Sequence, residues 1–253
     1  MRMRRVIAAS VRRGTVAFLL LTLAATEPAL AAGVSVTSTD MPGRRGVLIA
    51  SAGIPLDAPW KVSVYQLARS KFLHPAWGWQ HSERDYLMAV RLARGDGMHV
   101  DTDVLFAAAF LHDMAEFMPC GGPTMEHGEC AARQAGEILR GTGFPMQKLA
   151  AVQAAERGHM YYSRAGSDPN AIVLHDADSL DFLGVIGAAR LIALTGEKAP
   201  SFASAVKELR GFLKDIPPRL ITRTGRHIGV ERAAELQSFL DKLQAESFDG
   251  RAM

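Results

Sequence analysis

Cysteine is nearly absent from this chain: 253 residues contain two, Cys120 and Cys130. A disulfide-dense scaffold is thereby excluded, and nothing near the pair has zinc-finger spacing. A membrane-length apolar run is also lacking; Val16 to Ala25 is apolar but too short to span a bilayer comfortably. No glycine-rich phosphate loop sits between a strand pattern and a helix pattern. Internal repeats, low-complexity runs and a second composition zone are missing too, which argues for one domain. An excess of one charge is missing as well, with 29 basic against 26 acidic residues.

That small excess belongs to the N-terminus. Arg2, Arg4, Arg5, Arg12 and Arg13 form a basic region, the apolar stretch follows, and Ala29-Leu30-Ala31 is a small-x-small cleavage site. This reads as a secretory signal peptide over residues 1–31, with an uncleaved anchor as the alternative. Arg12-Arg13 is a poor twin-arginine match because Gly14-Thr15 follows it. Residues 1–31 hold five arginines and one acid, so the remainder has 24 basic and 25 acidic residues and a net charge of −1. Bulk charge therefore gives no argument for nucleic-acid binding. The expected location is periplasmic or secreted, without stable membrane insertion after cleavage. In such a compartment Cys120 and Cys130 read as a disulfide, with free thiols or soft metal ligands as the alternatives.

Residues 32–57 are weakly patterned and read as an irregular arm, with a short strand over Val47 to Ala50. Helical periodicity begins at Trp60, with Val62, Val64, Leu67, Ala68 and Phe72 as one face. A second helix follows His81 and would bury Tyr86, Leu87, Val90 and Leu92 before Gly95-Asp96-Gly97 closes it. Asp101 or Thr102 should cap the next, through the apolar run Val104 to Phe110. Further helices are expected over Met125 to Arg140, Pro145 to His159, Asp168 to Gly196, Ser201 to Lys214 and Glu231 to Gln244. The fold class is all-α, a single helical bundle over residues 58–248.

The chemistry concentrates where the apolar run ends, in Leu111-His112-Asp113-Met114-Ala115-Glu116. Glu116 lies three residues after Asp113 and four after His112, so it can share a helix face with either. Burying such groups without partners is costly, and a metal ion is the simplest shared partner. Alone, a His-Asp pair is most often a solvated helix end. Two other stretches change that reading: His81 with Arg84 upstream, and His175-Asp176-Ala177-Asp178-Ser179-Leu180-Asp181 downstream.

This set resembles the HD-domain superfamily of metal-dependent phosphohydrolases. The resemblance runs over roughly Val64 to Glu246 and is nearest to bacterial members with H-x-x-R early and D-A-D-x-L-D-x-L-G late. It implies His81, His112, Asp113 and Asp178 as ligands of a divalent ion (Mn, Fe, Ni, Co, Zn or Mg), with Asp176 as the alternative to Asp178. Glu116 is the candidate general base or water-positioning residue, against an ordinary solvated or salt-bridged carboxylate. Arg84 either contacts a phosphate or forms an internal ion pair. His127, His159, Asp176 and Arg190 are candidates for a second metal or for the substrate pocket. Lys148 and Arg157 read as solvated helix residues. Ser179 departs from the basic residue that relatives carry there. The implied activity is hydrolysis of a phosphate ester or anhydride of a small substrate, nucleotides included. The competing readings are a di-iron oxygenase or lyase on the same fold, and a non-catalytic metal-binding protein. Exposed Leu and Phe would allow a homodimer.

Export makes a direct prediction. Mass spectrometry of protein from the host's envelope fraction should find the N-terminus at Ala32, and an intact Met1 terminus would refute the cleavage.

Overall fold

The helix expected to be most apolar forms the centre of the fold. In the computed structural model, which describes residues 47–118, 120, 125–196 and 201–252, every residue from Val104 to Leu111 is buried. The signal-peptide reading and most of the N-terminal arm lie outside the described residues. Those described fall within one compact unit. They begin with strands β1 (Leu48–Ile49) and β2 (Pro55–Leu56), an antiparallel pair, so this end of the arm is a small hairpin rather than irregular chain. Ser51 Oγ and Ala52 N–H in its turn donate to the buried Glu83 carboxylate, which fastens the hairpin to the bundle.

The helices are α1 (Pro59–Lys71), α2 (Trp79–Asp96), α3 (Thr102–Leu111), α4 (Met114–Phe117), α5 (His127–Leu139), α6 (Leu149–Gly158), α7 (Pro169–Asp181), α8 (Gly184–Ala193), α9 (Phe202–Asp215) and α10 (Arg223–Glu246). Asp101 caps α3 by accepting from Asp103 N–H and Val104 N–H. Around α3 stand α1, α2, α5, α6 and α7. Phe106 and Phe110 stack at 4.5 Å, and Trp60 meets Phe106 edge-on at 5.5 Å.

Three expectations fail here. The helix after His81 packs Tyr86 and Val90 against the core only in part and leaves Leu87 42% exposed; its fully buried face is His81, Asp85, Ala89 and Leu92. Apolar periodicity misplaced the face because its first two turns turn ionisable side chains inward. The single helix expected from Asp168 to Gly196 is two. Leu183 is extended and Gly184 has φ +68°, a left-handed conformation that favours glycine. The apolar spacing of Leu180, Leu183 and Ile186 ran through this break and hid it. The last helix also starts earlier than Glu231, at Arg223.

Asp176 explains that early start. It is fully buried and accepts from Ile221 N–H at 3.0 Å, and from Thr222 N–H and Thr222 Oγ1 at 2.7 Å each. Asp96 in α2 accepts from Arg223 N–H and Thr224 N–H. Two carboxylates from α7 and α2 thus satisfy the exposed donors that open α10. Cys120 and Cys130 are joined, Cα atoms 5.7 Å apart, linking the chain just past α4 to the first turns of α5.

Glu156 on α6 is out of keeping with these satisfied groups. Both its carboxyl oxygens are buried without a hydrogen-bond partner, and burial pushes its pKa well above the ordinary 4.5. The unfolded chain releases this proton near its ordinary pKa while the folded chain keeps it. Stability is therefore complete at acid pH and falls as pH rises, by about 1.4 kcal/mol per unit, until the folded group ionises. Glu156→Gln should raise the melting temperature, with a larger gain at pH 8 than at pH 5. A gain independent of pH would show that the buried carboxyl is not the cause.

Candidate metal centre

Three helices bring four side chains to one buried point. The first two turns of α2 bring His81 and Asp85, the end of α3 brings His112, and the second half of α7 brings Asp178. One ligand-type atom from each lies within 4.8 Å of all the others. His81 Nε2 is 3.1 Å from Asp85 Oδ2, 3.3 Å from Asp178 Oδ1 and 3.3 Å from His112 Nε2. Asp113, directly after the α3 helix, reaches both imidazoles with Oδ2, at 3.4 and 3.5 Å. Its Oδ1 turns the other way, 3.0 Å from His127 Nε2 and 4.0 Å from His159 Nε2. His112, Asp113 and His159 make a second group with metal-ligand spacing.

The imidazoles are oriented from behind. His81 Nδ1 lies 2.8 Å from Asp181 Oδ2, His112 Nδ1 2.9 Å from the Ala109 carbonyl, and His159 Nδ1 2.5 Å from the Glu156 carbonyl. An Nδ1–H donated to each oxygen leaves an Nε2 lone pair directed at the cluster. Both Asp85 oxygens and His159 Nε2 are buried with no hydrogen-bond partner. Convergent nitrogen lone pairs and orphaned carboxylate oxygens are unfavourable together without a cation, and a divalent ion fits this donor set.

Protonation states carry the same message. Burial and the Arg190 guanidinium oppose charge on His81, yet Asp85, Asp113 and Asp178 outweigh them and hold it protonated well above the ordinary imidazole range. Burial raises Asp85 to about 7. Burial also opposes charge on His127, but the hydrogen bonds it donates to the Asp113 and Glu116 carboxylates raise it to about 10. His159, buried among other imidazoles, drops to about 4 and stays neutral.

The remaining sequence candidates are distributed as follows. Glu116 on α4 faces the site, 3.5 Å from His127 Nδ1. Arg84 does not stand beside it. Two of its guanidinium nitrogens pair with Asp181, Nε at 2.9 Å from Oδ1 and Nη2 at 2.7 Å from Oδ2, the internal ion pair of the two readings. Asp176 faces away and caps α10, so of the two α7 candidates Asp178 is in the cluster. Arg190 is 2% exposed; Nη1 is 3.0 Å from Asp181 Oδ2, and Nη2 is buried without a hydrogen-bond partner. Ser179 is fully buried. Lys148 bridges Asp101 and Asp103, and Arg157 pairs with Glu129.

Sequence reasoning missed Asp85 and gave Asp181 no role. Asp85 did carry a signal: it is four residues after His81, one helical turn on the same face. Asp181 stood in the quoted motif, but its part as anchor of His81, Arg84 and Arg190 depends on the packing of α2, α7 and α8.

Above the cluster a cavity of about 400 Å³ opens to solvent. Asp113, Asp178, Glu116, His127 and Arg190 line its polar end, and Trp77, Tyr161, Tyr162, Phe182, Leu194 and Phe212 are among its apolar walls.

A helical domain that gathers His, His-Asp and Asp beneath such a cavity carries a donor set compatible with a divalent metal ion. Residues 78–183 match the HD domain family, the stretch from the cap of α2 to the break after α7. Similar solved structures include Bacillus subtilis YpgQ in complex with ADP (18% identity, TM-score 0.55, covering 74% of this chain and 97% of that one). A predicted HD superfamily hydrolase from an uncultured Thermotogales bacterium is another (23% identity, TM-score 0.54, 75% and 94%). An HD-superfamily hydrolase from Bacillus thuringiensis is a third (20%, TM-score 0.53, 74% and 94%). At these identities the likeness carries the fold, and with the family match it supports the HD superfamily. No curated protein matches the chain.

Since metal must displace protons held by His81 and its neighbours, binding should release protons and weaken at acid pH. Each displaced proton costs about tenfold in affinity per pH unit. Mn²⁺ titrations at pH 6 and 8, in buffers of different ionisation enthalpy, measure both effects; a pH-independent affinity would contradict the assignment.

Proposed function

We propose that this chain is a metal-dependent HD-type phosphohydrolase that cleaves a phosphate ester or anhydride of a small substrate, nucleotides included. The observation that carries the reading is the convergence of oriented Nε2 atoms and unpartnered carboxylate oxygens at the floor of an open cavity. Its polar end also holds one unsatisfied guanidinium nitrogen, on Arg190. Sulfur donors are absent from this set, so Mn, Fe, Co, Ni, Zn and Mg all suit it.

His81, His112, Asp178 and Asp113 would hold the ion, with Asp85 beside them. Bound there, a divalent ion would lower the pKa of water and polarise a phosphoryl oxygen. Arg190 Nη2 donates to a phosphate oxygen, and its pairing with Asp181 fixes the direction of that donor. Glu116, on the cavity wall, takes the proton from the attacking water or positions that water. His127, charged and held between Asp113 and Glu116, keeps both carboxylates in place. The aromatic walls receive the organic part of the substrate. ADP in the YpgQ complex favours a nucleotide among such substrates.

The Cys120–Cys130 disulfide supports a periplasmic or secreted protein, since such bonds persist in oxidising compartments. Among the described residues no helix is long and apolar enough to cross a membrane. Nucleic acid is not an expected partner, and a homodimer remains compatible with the chain.

One observation favours a second reading. The His112, Asp113 and His159 group overlaps the first at His112, and the two Asp113 oxygens face opposite sides, so Asp113 would bridge two metals, as a di-iron oxygenase or lyase requires. Two irons with O₂ consumption and no phosphate release would establish that reading in place of hydrolysis. A non-catalytic binding protein would show metal uptake with neither.

With Mn²⁺ and a panel of nucleotides and sugar phosphates, the wild-type chain should release phosphate or pyrophosphate, and Asp113→Ala should abolish release. Glu116→Gln should retain metal and lower kcat by about 10²–10³-fold. Full kcat in Glu116→Gln would remove Glu116 from the proton transfer.

A further inference from the structure

A second cavity, of about 250 Å³, lies on a neighbouring stripe of α7. That helix presents Asp178 and Phe182 to the substrate-side cavity, and Ala177 and Asp181 to this one. The two cavities share no lining residue. Three arginines converge on the second: Arg84 and Arg91, two turns apart on α2, and Arg232 from α10. Leu87 and Met88 fill the space along α2 between the first two.

The charge in this cavity is not balanced. Asp181 is its one lining carboxylate, and it already serves Arg84, Arg190 and His81. Arg232 Nη1 donates to the Leu180 carbonyl at 2.6 Å and has no ion pair among the described residues. Arg91 is exposed and likewise unpaired among them. Burial lowers the pKa of Arg232, and Arg91 pushes the same way against Asp181, Glu235 and Asp85. Like charges held around a concave space are relieved by an anion, and guanidinium forks match the spacing of oxygens on a tetrahedral oxyanion.

We infer that Arg91 and Arg232, with the Arg84 Nη1 that Asp181 does not engage, form a binding site for a tetrahedral dianion of the inorganic phosphate class, separate from the cavity above the metal cluster. Its small volume and three donors suit a compact ion. Arg84 forms its inner wall and touches the metal cluster only through Asp181 and His81 Nδ1.

The test is calorimetric titration of the full chain with inorganic phosphate, after chelator treatment and dialysis so that bound metal takes none of the phosphate. Sulfate serves as the competing probe. Saturable binding is expected, displaced by sulfate and weakened at least tenfold in Arg91→Gln. Arg91 is exposed and unpaired, so this variant should keep the wild-type melting curve; Arg232→Gln should show the same loss. Absence of saturable binding would overturn the site, as would an Arg91→Gln variant that binds phosphate as wild type does. The outcome is independent of whether the chain hydrolyses any phosphate ester.

Discussion

The structure depends on a balance of buried charge. Asp85, Asp178 and Asp181 lie within a few ångströms of His81 and His112, all essentially cut off from water. Carboxylates so placed repel one another in a medium that screens poorly. Arg84 and Arg190 neutralise Asp181. The rest of the negative charge is met by protons on the imidazoles or by a cation in their place. Metal affinity, protonation and the packing of α2 against α7 are therefore one coupled problem.

The bundle is arranged to hold that cluster in register. α3 supplies a fully apolar column that delivers His112 and Asp113 at its end. α7 uses its faces for separate tasks: Asp178 toward the cluster, Asp181 behind His81, and Asp176 at the start of α10. Each carboxylate is two or three residues from the next, yet 100° per residue sends them to different partners. The break at Phe182–Gly184 then lets α8 return with Arg190 against Asp181 and Phe182, its guanidinium 4.5 Å from the Phe182 ring.

Much of this was visible in the chain. The apolar run before His112 and the cap at Asp101 located the central helix. His81 and the Asp178 stretch located the other ligand-bearing helices. Asp85 was passed over because an acidic residue in a helix with Arg84, Arg91 and Arg94 nearby reads as part of a solvated face. The same rule put Leu87 inside, although it is 42% exposed. Periodicity assumes that a buried face is apolar, and this face is not, because metal chemistry needs charge there. Arg84 was open between phosphate contact and ion pair for a related reason: its neighbours in sequence do not include Asp181, 97 positions away.

By itself the sequence determined what local interactions control: the helical class, the caps, the near-neighbour cysteines, and the residue types able to bind a hard or borderline metal. Tertiary structure alone decided which carboxylates share one point, which arginines pair with Asp181 and which donors they keep free, and that two separate cavities flank α7. Those outcomes rest on contacts between groups far apart in the chain. The energy of a buried charge depends on every group around it, and only the packed helices determine which groups those are.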